Sequence, residues 1–389
     1  RAAGAGTAEP GADRDRADMT LAQLSVDETA DLCDEVMARV GEVVVGKQLQ
    51  LRLVLAGLLA GGHVLLEDVP GLGKTLTARS FAQALGLGFR RVQFTPDLLP
   101  SDISGSFVYN QHESCFELRE GPIFTNLLLA DEINRTPPRT QAALLEAMQE
   151  GQVTIEGETR YLPRPFHVLA TANPIEYEGT YPLPEAQLDR FLLRISFGYL
   201  EAGEELQILH RRISRGGEAS EVHAVVGADG LLAMQASVEG VVVEDSVGYY
   251  VVEIVRATRR HPQVLVGSSP RGALAVMLCA RALAAMQRRD YVVPDDVKAV
   301  AVVALAHRLT LRPEAYLRRV GGSDIVQSLL AELPVPTTSL PGGAHLSSPA
   351  AHGQAAVPAV PGAAEGSRAA GTPASDLGAV AGEGAGGWR

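Results

Sequence analysis

The sequence predicts an α/β protein: a parallel-sheet core opened by a phosphate-binding glycine loop and carrying inserted β-hairpins, followed by an all-helical second domain. Three observations lead there. Residues 63–67 (HVLLE) read as a strand that runs into a glycine turn and then into the helix-forming run 76–85, the order that opens a phosphate-binding unit. Two more short apolar runs, 127–130 (LLLA) and 167–172 (HVLATA), end in Asp131-Glu132 and in Asn173, as buried parallel strands do when ligand groups emerge at their carboxyl edge. After about residue 200 strand patterns become rare and helical spacing dominates.

In chain order, residues 1–18 are a non-periodic mixture of Ala, Gly, Arg and Asp, and Met19 opens the first ordered-looking segment, so Met19 is expected to be the true start. Leu21, Leu24 and Val26, then Ala30, Leu32, Val36, Met37 and Val40, recur at three and four residues and predict a first helix. The run 48–60 (QLQLRLVLAGLLA) is apolar and closed by Gly61-Gly62, which predicts a buried helix. Alternating patterns at 107–119 and 152–161 predict two inserted hairpins that project from the main sheet. Helices follow at 203–212, 244–260, 270–287 and 295–309, the last opened by Pro294-Asp295-Asp296. From Leu333 onward Pro, Gly, Ala and Ser crowd the chain without period, which predicts a disordered tail with Trp388 solvated. The expected organisation is a disordered extension at 1–19, an α/β core at 20–200, an all-helical domain at 201–332 and a disordered tail at 333–389.

Composition narrows the function. With 389 residues, 46% hydrophobic and 21% charged, the chain has material for two or three domains and is not wholly disordered. The 34 Lys and Arg against 46 Asp and Glu give a net charge of -12, which repels phosphate backbones and anionic lipid, so no nucleic-acid partner is expected. Cys33, Cys115 and Cys279 form no CxxC pair and leave one unmatched, which points to a reducing compartment. The longest uncharged apolar stretch, 53–66, is shorter than the roughly 20 residues of a membrane span. No secretory signal pattern opens the sequence, so a cytoplasmic location is expected.

The chemistry begins in the loop Pro70, Gly71, Leu72, Gly73, Lys74, Thr75 and Leu76. Its glycines let backbone N–H groups turn toward phosphates, and the following helix adds the positive end of its dipole. Lys74 supplies a point charge to the β- and γ-phosphates, and the Thr75 hydroxyl a ligand for the bridging Mg2+. The pattern G-x-x-x-x-G-K-[ST] asks for glycine where this chain has Asp68. Asp131 at a strand edge suits the magnesium shell, and Glu132 the deprotonation of an attacking water. Asn173 is a neutral group able to fix that water. His112 and Cys115 have ligand-like spacing but no second pair, so no zinc site is expected. Arg211-Arg212 and Arg288-Arg289 read as solvated runs, and His261-Pro262 as a loop.

With these blocks in view the sequence resembles the AAA+ ATPases, and within them the MoxR family. The resemblance rests on EDVPGLGKT (67–75), LLLADEINRTPPRTQAALLEAMQEGQVTI (127–155) and ATANPIEYEGTYPLPEAQLDRF (170–191), and spans about 21–313. It implies an αβα core with a helical lid in a hexameric ring, and treats Asp68 as an ordinary variant. It implies that Arg190 reaches the γ-phosphate held by a neighbouring subunit, with Arg194 a competing candidate. Arg271, in SPRG, matches the lid sensor of its own subunit's γ-phosphate. Val45-Gly46-Lys47 resembles the segment packed on adenine.

The expected function is ATP-driven, chaperone-like remodelling or maturation of client protein complexes. By resemblance it includes metal or cofactor insertion, often beside a von Willebrand factor A domain protein. A nucleic-acid motor shares such a core, but the hairpins offer Arg119 against Glu113 and Glu117, and Arg160 against Glu156 and Glu158, so neither is basic. A nucleotide-regulated scaffold without turnover is disfavoured by Glu132, Asn173 and Arg190 together. A GTPase is disfavoured because no NKxD occurs.

Overall fold

The computed structural model describes residues 24–336, apart from Pro70, 174–179, Pro182 and 216–221. The Met19 region, the tail beyond 336 and Trp388 lie outside the described residues.

Helix α1 (Val26–Val43) starts at a reciprocal cap: Ser25 Oγ accepts the Glu28 N–H at 3.2 Å, and Glu28 Oε2 accepts the Ser25 N–H at 2.8 Å. The apolar, largely buried α2 (Gln48–Leu59) leads to β1 (Val64–Glu67), α3 (Lys74–Ala84) and β2 (Phe89–Gln93). A short α4 (Pro100–Ser104) precedes the first hairpin, β3 (Gly105–Asn110) with β4 (Cys115–Glu120). Then come β5 (Leu127–Asp131), α5 (Pro138–Glu150) and the second hairpin, β6 (Gln152–Ile155) with β7 (Glu158–Tyr161). The first part closes with β8 (His167–Ala172), α6 (Glu185–Leu188) and β9 (Leu193–Ile195).

Helices dominate thereafter: α7 (Ala202–Arg215), α8 (Ala228–Glu239), α9 (Asp245–Arg260), α10 (Pro270–Ala285), α11 (Pro294–Leu305), α12 (Pro313–Leu317) and α13 (Gly322–Glu332). The short β10 (Val264–Val266) and β11 (Thr310–Leu311) pair antiparallel. No helix among the described residues is long and apolar enough to cross a membrane.

The main sheet is parallel throughout, in the order β2-β5-β8-β1-β9. Its strands alternate faces, as period-two geometry requires. Val64, Leu66, Leu127, Leu129 and Leu169 pack on one side with α1, α2 and α3, in a core that continues into α8, α9, α10 and α11. Leu65, Leu128, Ala130, Val168 and Ala170 pack on the other side with α5 and the hairpins. Phe107 and Leu118 rest on that second core, whereas Tyr109 and Phe116 beyond them are exposed, with their rings edge-on at 5.3 Å.

Several elements differ from the sequence expectation. The pattern does not reveal β2, because FRRVQ buries only Val92 well at the sheet edge. It also passes over α8, whose opening Asp229-Gly230 dilutes the helical signal, and α13, which opens on Gly322. The run expected as one helix at 295–309 is α11 followed by a 3-10 turn at Ala306–Arg308. The doublet Arg288-Arg289 is not simply solvated. Arg288 pairs with Asp31 and Asp34, and Arg289 grips the buried Asp296 at 2.6 and 2.7 Å.

Candidate functional site

Three segments meet at the carboxyl edge of the sheet. After β1, Gly71 and Gly73 take φ of 86° and 78°, conformations that an L side chain adopts only with strain, and α3 begins at Lys74. Pro70 lies outside the described residues. Lys74 Nζ donates to the Asp68 carbonyl at 2.6 Å. Burial pushes the Lys74 ammonium below its ordinary pKa, against the pull of Asp68, Asp131, Glu132 and Glu67.

At the end of β5, Asp131 Oδ1 accepts the Thr171 hydroxyl at 2.6 Å, and Thr171 Oγ1 accepts the Glu132 N–H at 2.8 Å. One hydroxyl from β8 thus fixes both acids. Glu132 itself has φ of 57°, an uncommon conformation for a residue with a side chain, which turns the backbone directly after the strand. Its Oε2 accepts from Gln93 Nε2 at 2.5 Å and lies 3.1 Å from Arg135 Nε. Arg91 donates to Asp131 Oδ2 through Nε at 2.9 Å and Nη2 at 2.7 Å. Asn173 follows β8, and its carbonyl accepts from Asn134 Nδ2 at 3.1 Å.

Lys74, Thr75, Leu76, Asp131, Glu132, Thr171 and Asn173, with Gly71 and Gly73, line a cavity of about 320 Å³. Thr75 Oγ1 and Asp131 Oδ2 stand 3.5 Å apart in it. Two hard oxygen donors beside a phosphate loop fit a magnesium ion, whose preferred ligands are oxygen.

A larger cavity of about 620 Å³ adjoins the first, sharing Gly71, Gly73 and Leu76 with it. Val43, Val44, Val45 and Lys47 form one wall, Leu72 and Phe197 another, and α7 covers it with Ile208, Leu209, Arg211 and Arg212. Gly46 stands beside it with φ of 69°, and a Cβ there would run into the Glu204 carboxylate of α7. Lys47 Nζ reaches the Tyr199 carbonyl at 2.5 Å. Arg211 is not simply solvated: its Nη1 donates to the carbonyls of Gly41 and Glu42, at 3.1 and 2.9 Å, near the end of α1.

Asp68, where the common pattern has glycine, has its side chain buried between the phosphate loop and the segment after β9. Its Oδ2 accepts the N–H groups of Phe197 and Gly198 at 2.6 and 2.7 Å and the Ser196 hydroxyl at 3.2 Å. Its Oδ1 accepts the Val69 N–H at 3.1 Å.

Two arginines singled out by sequence line neither cavity. Arg190 follows α6 and has no side-chain partner among the described residues. Arg271, at the start of α10, has Nη1 3.9 Å from Asp189 Oδ2. Arg194, the competing candidate, is paired with Glu67. The sequence reading missed Thr171, Gln93 and Arg91. The last two stand two apart on β2, on one side of a strand whose Gln93 registers with Asp131; an unrecognised edge strand hides that signal.

The AAA family, ATPases associated with various cellular activities, matches residues 63–193, and the AAA lid domain matches 256–329. The chain is 48% identical over 305 residues to the uncharacterized protein YeaC of Bacillus subtilis (strain 168), covering 78% of this chain and 95% of that one. It is 42% identical over 312 residues to chaperone MoxR1 of Mycobacterium tuberculosis, covering 78% of this chain and 82% of that one. The fold is similar to the crystal structure of a Cytophaga hutchinsonii protein assigned as an ATPase, with a TM-score of 0.75 and 41% identity over 84% of this chain and 100% of that one. A phosphate loop facing two strand-edge acids, a helical lid and relatives of this closeness lead to one assignment: the chain belongs to the MoxR family of AAA+ ATPases.

Proposed function

We propose that the chain binds ATP with magnesium, hydrolyses it at a seam between two copies, and uses the turnover to remodel client proteins. The observation that carries this reading is the 320 Å³ cavity on which Lys74, Thr75, Asp131, Glu132 and Asn173 converge. Loop N–H groups and Lys74 receive the phosphates. Thr75 and Asp131 hold the magnesium ion, which when bound neutralises charge on the triphosphate oxygens. Glu132 takes the proton of the attacking water, and Asn173 orients that water without competing for its proton. The larger cavity, walled by Val45 beside Gly46 and covered by α7, takes the base.

Arg190, with no described side-chain partner, is positioned in this reading to reach the triphosphate of a neighbouring copy, and a hexameric ring supplies such neighbours. Arg271 shares Asp189 with that turn, so we place it beside Arg190 at the neighbour's site in preference to its own. Residues 20–200 act as the nucleotide core and 201–332 as the lid. The relative named chaperone MoxR1 supports a chaperone role. Maturation of client complexes, including metal or cofactor insertion beside a von Willebrand factor A domain protein, is proposed from family likeness.

The test is Glu132→Gln. Removing the base is expected to lower steady-state phosphate release by about 10²- to 10⁴-fold while ATP still binds. Turnover within two-fold of wild type would remove Glu132 from the reaction and the reading with it.

A further inference from the structure

The turn that carries Arg190 is fastened to the lid by one buried side chain. Arg308 stands in the 3-10 turn after α11, and its side chain is only 4% exposed. Its Nε donates to Asp189 Oδ1 at 2.8 Å, and its Nη2 to the carbonyls of Phe191 at 2.8 Å and Asp189 at 3.3 Å. Its Nη1 donates to the Leu192 carbonyl at 3.2 Å and to the Ala304 carbonyl of α11. A guanidinium has five N–H donors in a rigid fork, and most of this one is spent on Asp189, Phe191 and Leu192, the residues on either side of Arg190 and one beyond.

The fold makes room for this side chain. A Cβ at Gly272 on α10 would run into Ser268 Oγ and into Leu305 Cδ2 at 2.9 Å and stand 3.2 Å from Arg308 Cδ, so a larger residue there would crowd the arm of the arginine along with its neighbours. The other oxygen of Asp189 faces Arg271, also on α10. Asp189 is therefore held by two lid arginines, while Arg190, its chain neighbour, is not held by any described side chain. On the sheet side the turn is anchored by Leu192, whose N–H donates to the His63 carbonyl at 2.8 Å, and by β9, which pairs with β1. Arg190 thus sits at the joint between sheet and lid, on the part of it that the lid grips.

We infer that Arg308 is a positioning residue for Arg190: by holding residues 189–192 against the lid, it sets where Arg190 is presented to a neighbouring copy and makes that presentation follow the lid. The inference rests on the reading of Arg190 given above. Breaking the grip leaves the phosphate loop, Glu132 and Asn173 of the same chain in place, because none of them touches Arg308.

The test uses the full chain with Arg308→Lys, Asp189→Asn and Arg190→Ala, alone and combined, and reads ATP affinity, KM, kcat and melting temperature. Arg308→Lys keeps a charge but cannot span three carbonyls and a carboxylate. It is expected to leave ATP affinity within about two-fold and to lower kcat by roughly 10- to 100-fold, the scale of an ångström-sized misplacement. In the Arg190→Ala background it is expected to add no further loss in kcat, because both changes remove one function. A folded Arg308→Lys with unchanged kcat, or a loss of the same size in the Arg190→Ala background, would overturn the inference. If Arg308→Lys does not fold, Asp189→Asn, which removes the shared carboxylate charge and keeps the carbonyl acceptors, decides by the same two readouts. Full turnover in Arg190→Ala alone would sink the reading of Arg190 itself, an outcome distinct from a loss there with none in the Arg308 and Asp189 variants.

Discussion

The Oδ2 atom of Asp68 lies 2.6 Å from the backbone nitrogen of Phe197, tying the phosphate loop to a segment 129 residues away that leads into α7. The pattern common to phosphate loops has glycine here, and glycine would leave the N–H groups of Phe197 and Gly198 without their acceptor. Restoring the common residue is therefore expected to harm the protein. Asp68→Gly should cost about 3 kcal/mol, since hydrogen bonds to a charged acceptor are worth roughly 1.5–3 kcal/mol and buried donors would be orphaned. Urea unfolding of both proteins checks this, and an unchanged midpoint would show that the contacts contribute nothing.

A second buried acid makes a comparable case in the helical part. Asp296, 3% exposed, accepts two hydrogen bonds from Arg289 and the Val293 N–H at 2.9 Å that opens α11. Its partner's guanidinium is held above its ordinary pKa, mainly by the hydrogen bond to Asp296. Asp296→Ala strands that cation in a partly buried site and removes the helix-start contact together, so a loss of about 3–5 kcal/mol is expected. Asp296→Asn, which retains acceptor capacity, should lose less, and thermal melts of the two variants rank them.

Asp68 and Asp296 show where sequence reading reaches its limit. The glycine turn, the helix after it and the apolar strands ending in Asp131, Glu132 and Asn173 are legible because each depends on neighbours in the chain: a period, a turn residue, a strand end. Gln93, Thr171 and Arg308 are not legible, because their roles come from partners 39 to 119 residues away. Nothing in FRRVQ announces that Gln93 meets Glu132. The parallel pairing of β2 with β5 creates that meeting. Arg271 shows the converse. Its motif is legible, but local pattern does not announce the approach of its Nη1 to within 3.9 Å of Asp189 Oδ2, a carboxylate 82 residues earlier in the chain.

Stability should fall in mild acid through His63. Its ring is buried, accepts the Val168 N–H at Nδ1 and meets the Met148 carbonyl at 2.9 Å through Nε2, so the neutral form is the one the fold accommodates. Burial is the main cause that brings its pKa down from 6.5 to about 4, with His167 adding to it. The folded value lies below the unfolded one, so the unfolded chain binds the extra proton between those two pH values. The contribution is complete above pH 6.5 and is lost as pH falls toward 4, amounting to about 3 kcal/mol. His63→Gln can donate to Met148 and accept from Val168 without titrating. The difference in unfolding free energy between wild type and His63→Gln should therefore vary with pH in this window and be flat above it.

The two adjoining cavities make separable predictions about the ligand. Lys74 faces only the smaller one, whereas Gly46 stands at the wall of the larger, with φ of 69° and the Glu204 carboxylate where a side chain would go. A methyl group at Gly46 pays the left-handed strain of about 1–2 kcal/mol and pushes α7 outward. If the base lies under α7, Gly46→Ala should weaken ATP by roughly 10-fold, which corresponds to about 1.4 kcal/mol, and leave tripolyphosphate affinity unchanged, because that anion occupies only the phosphate cavity. Lys74→Ala removes the charge that both ligands share and should weaken both. Calorimetric titration of the two variants with the two ligands separates the arms. Equal weakening of ATP and tripolyphosphate by Gly46→Ala would place the base elsewhere and make α7 a structural cover with no part in reading the nucleotide.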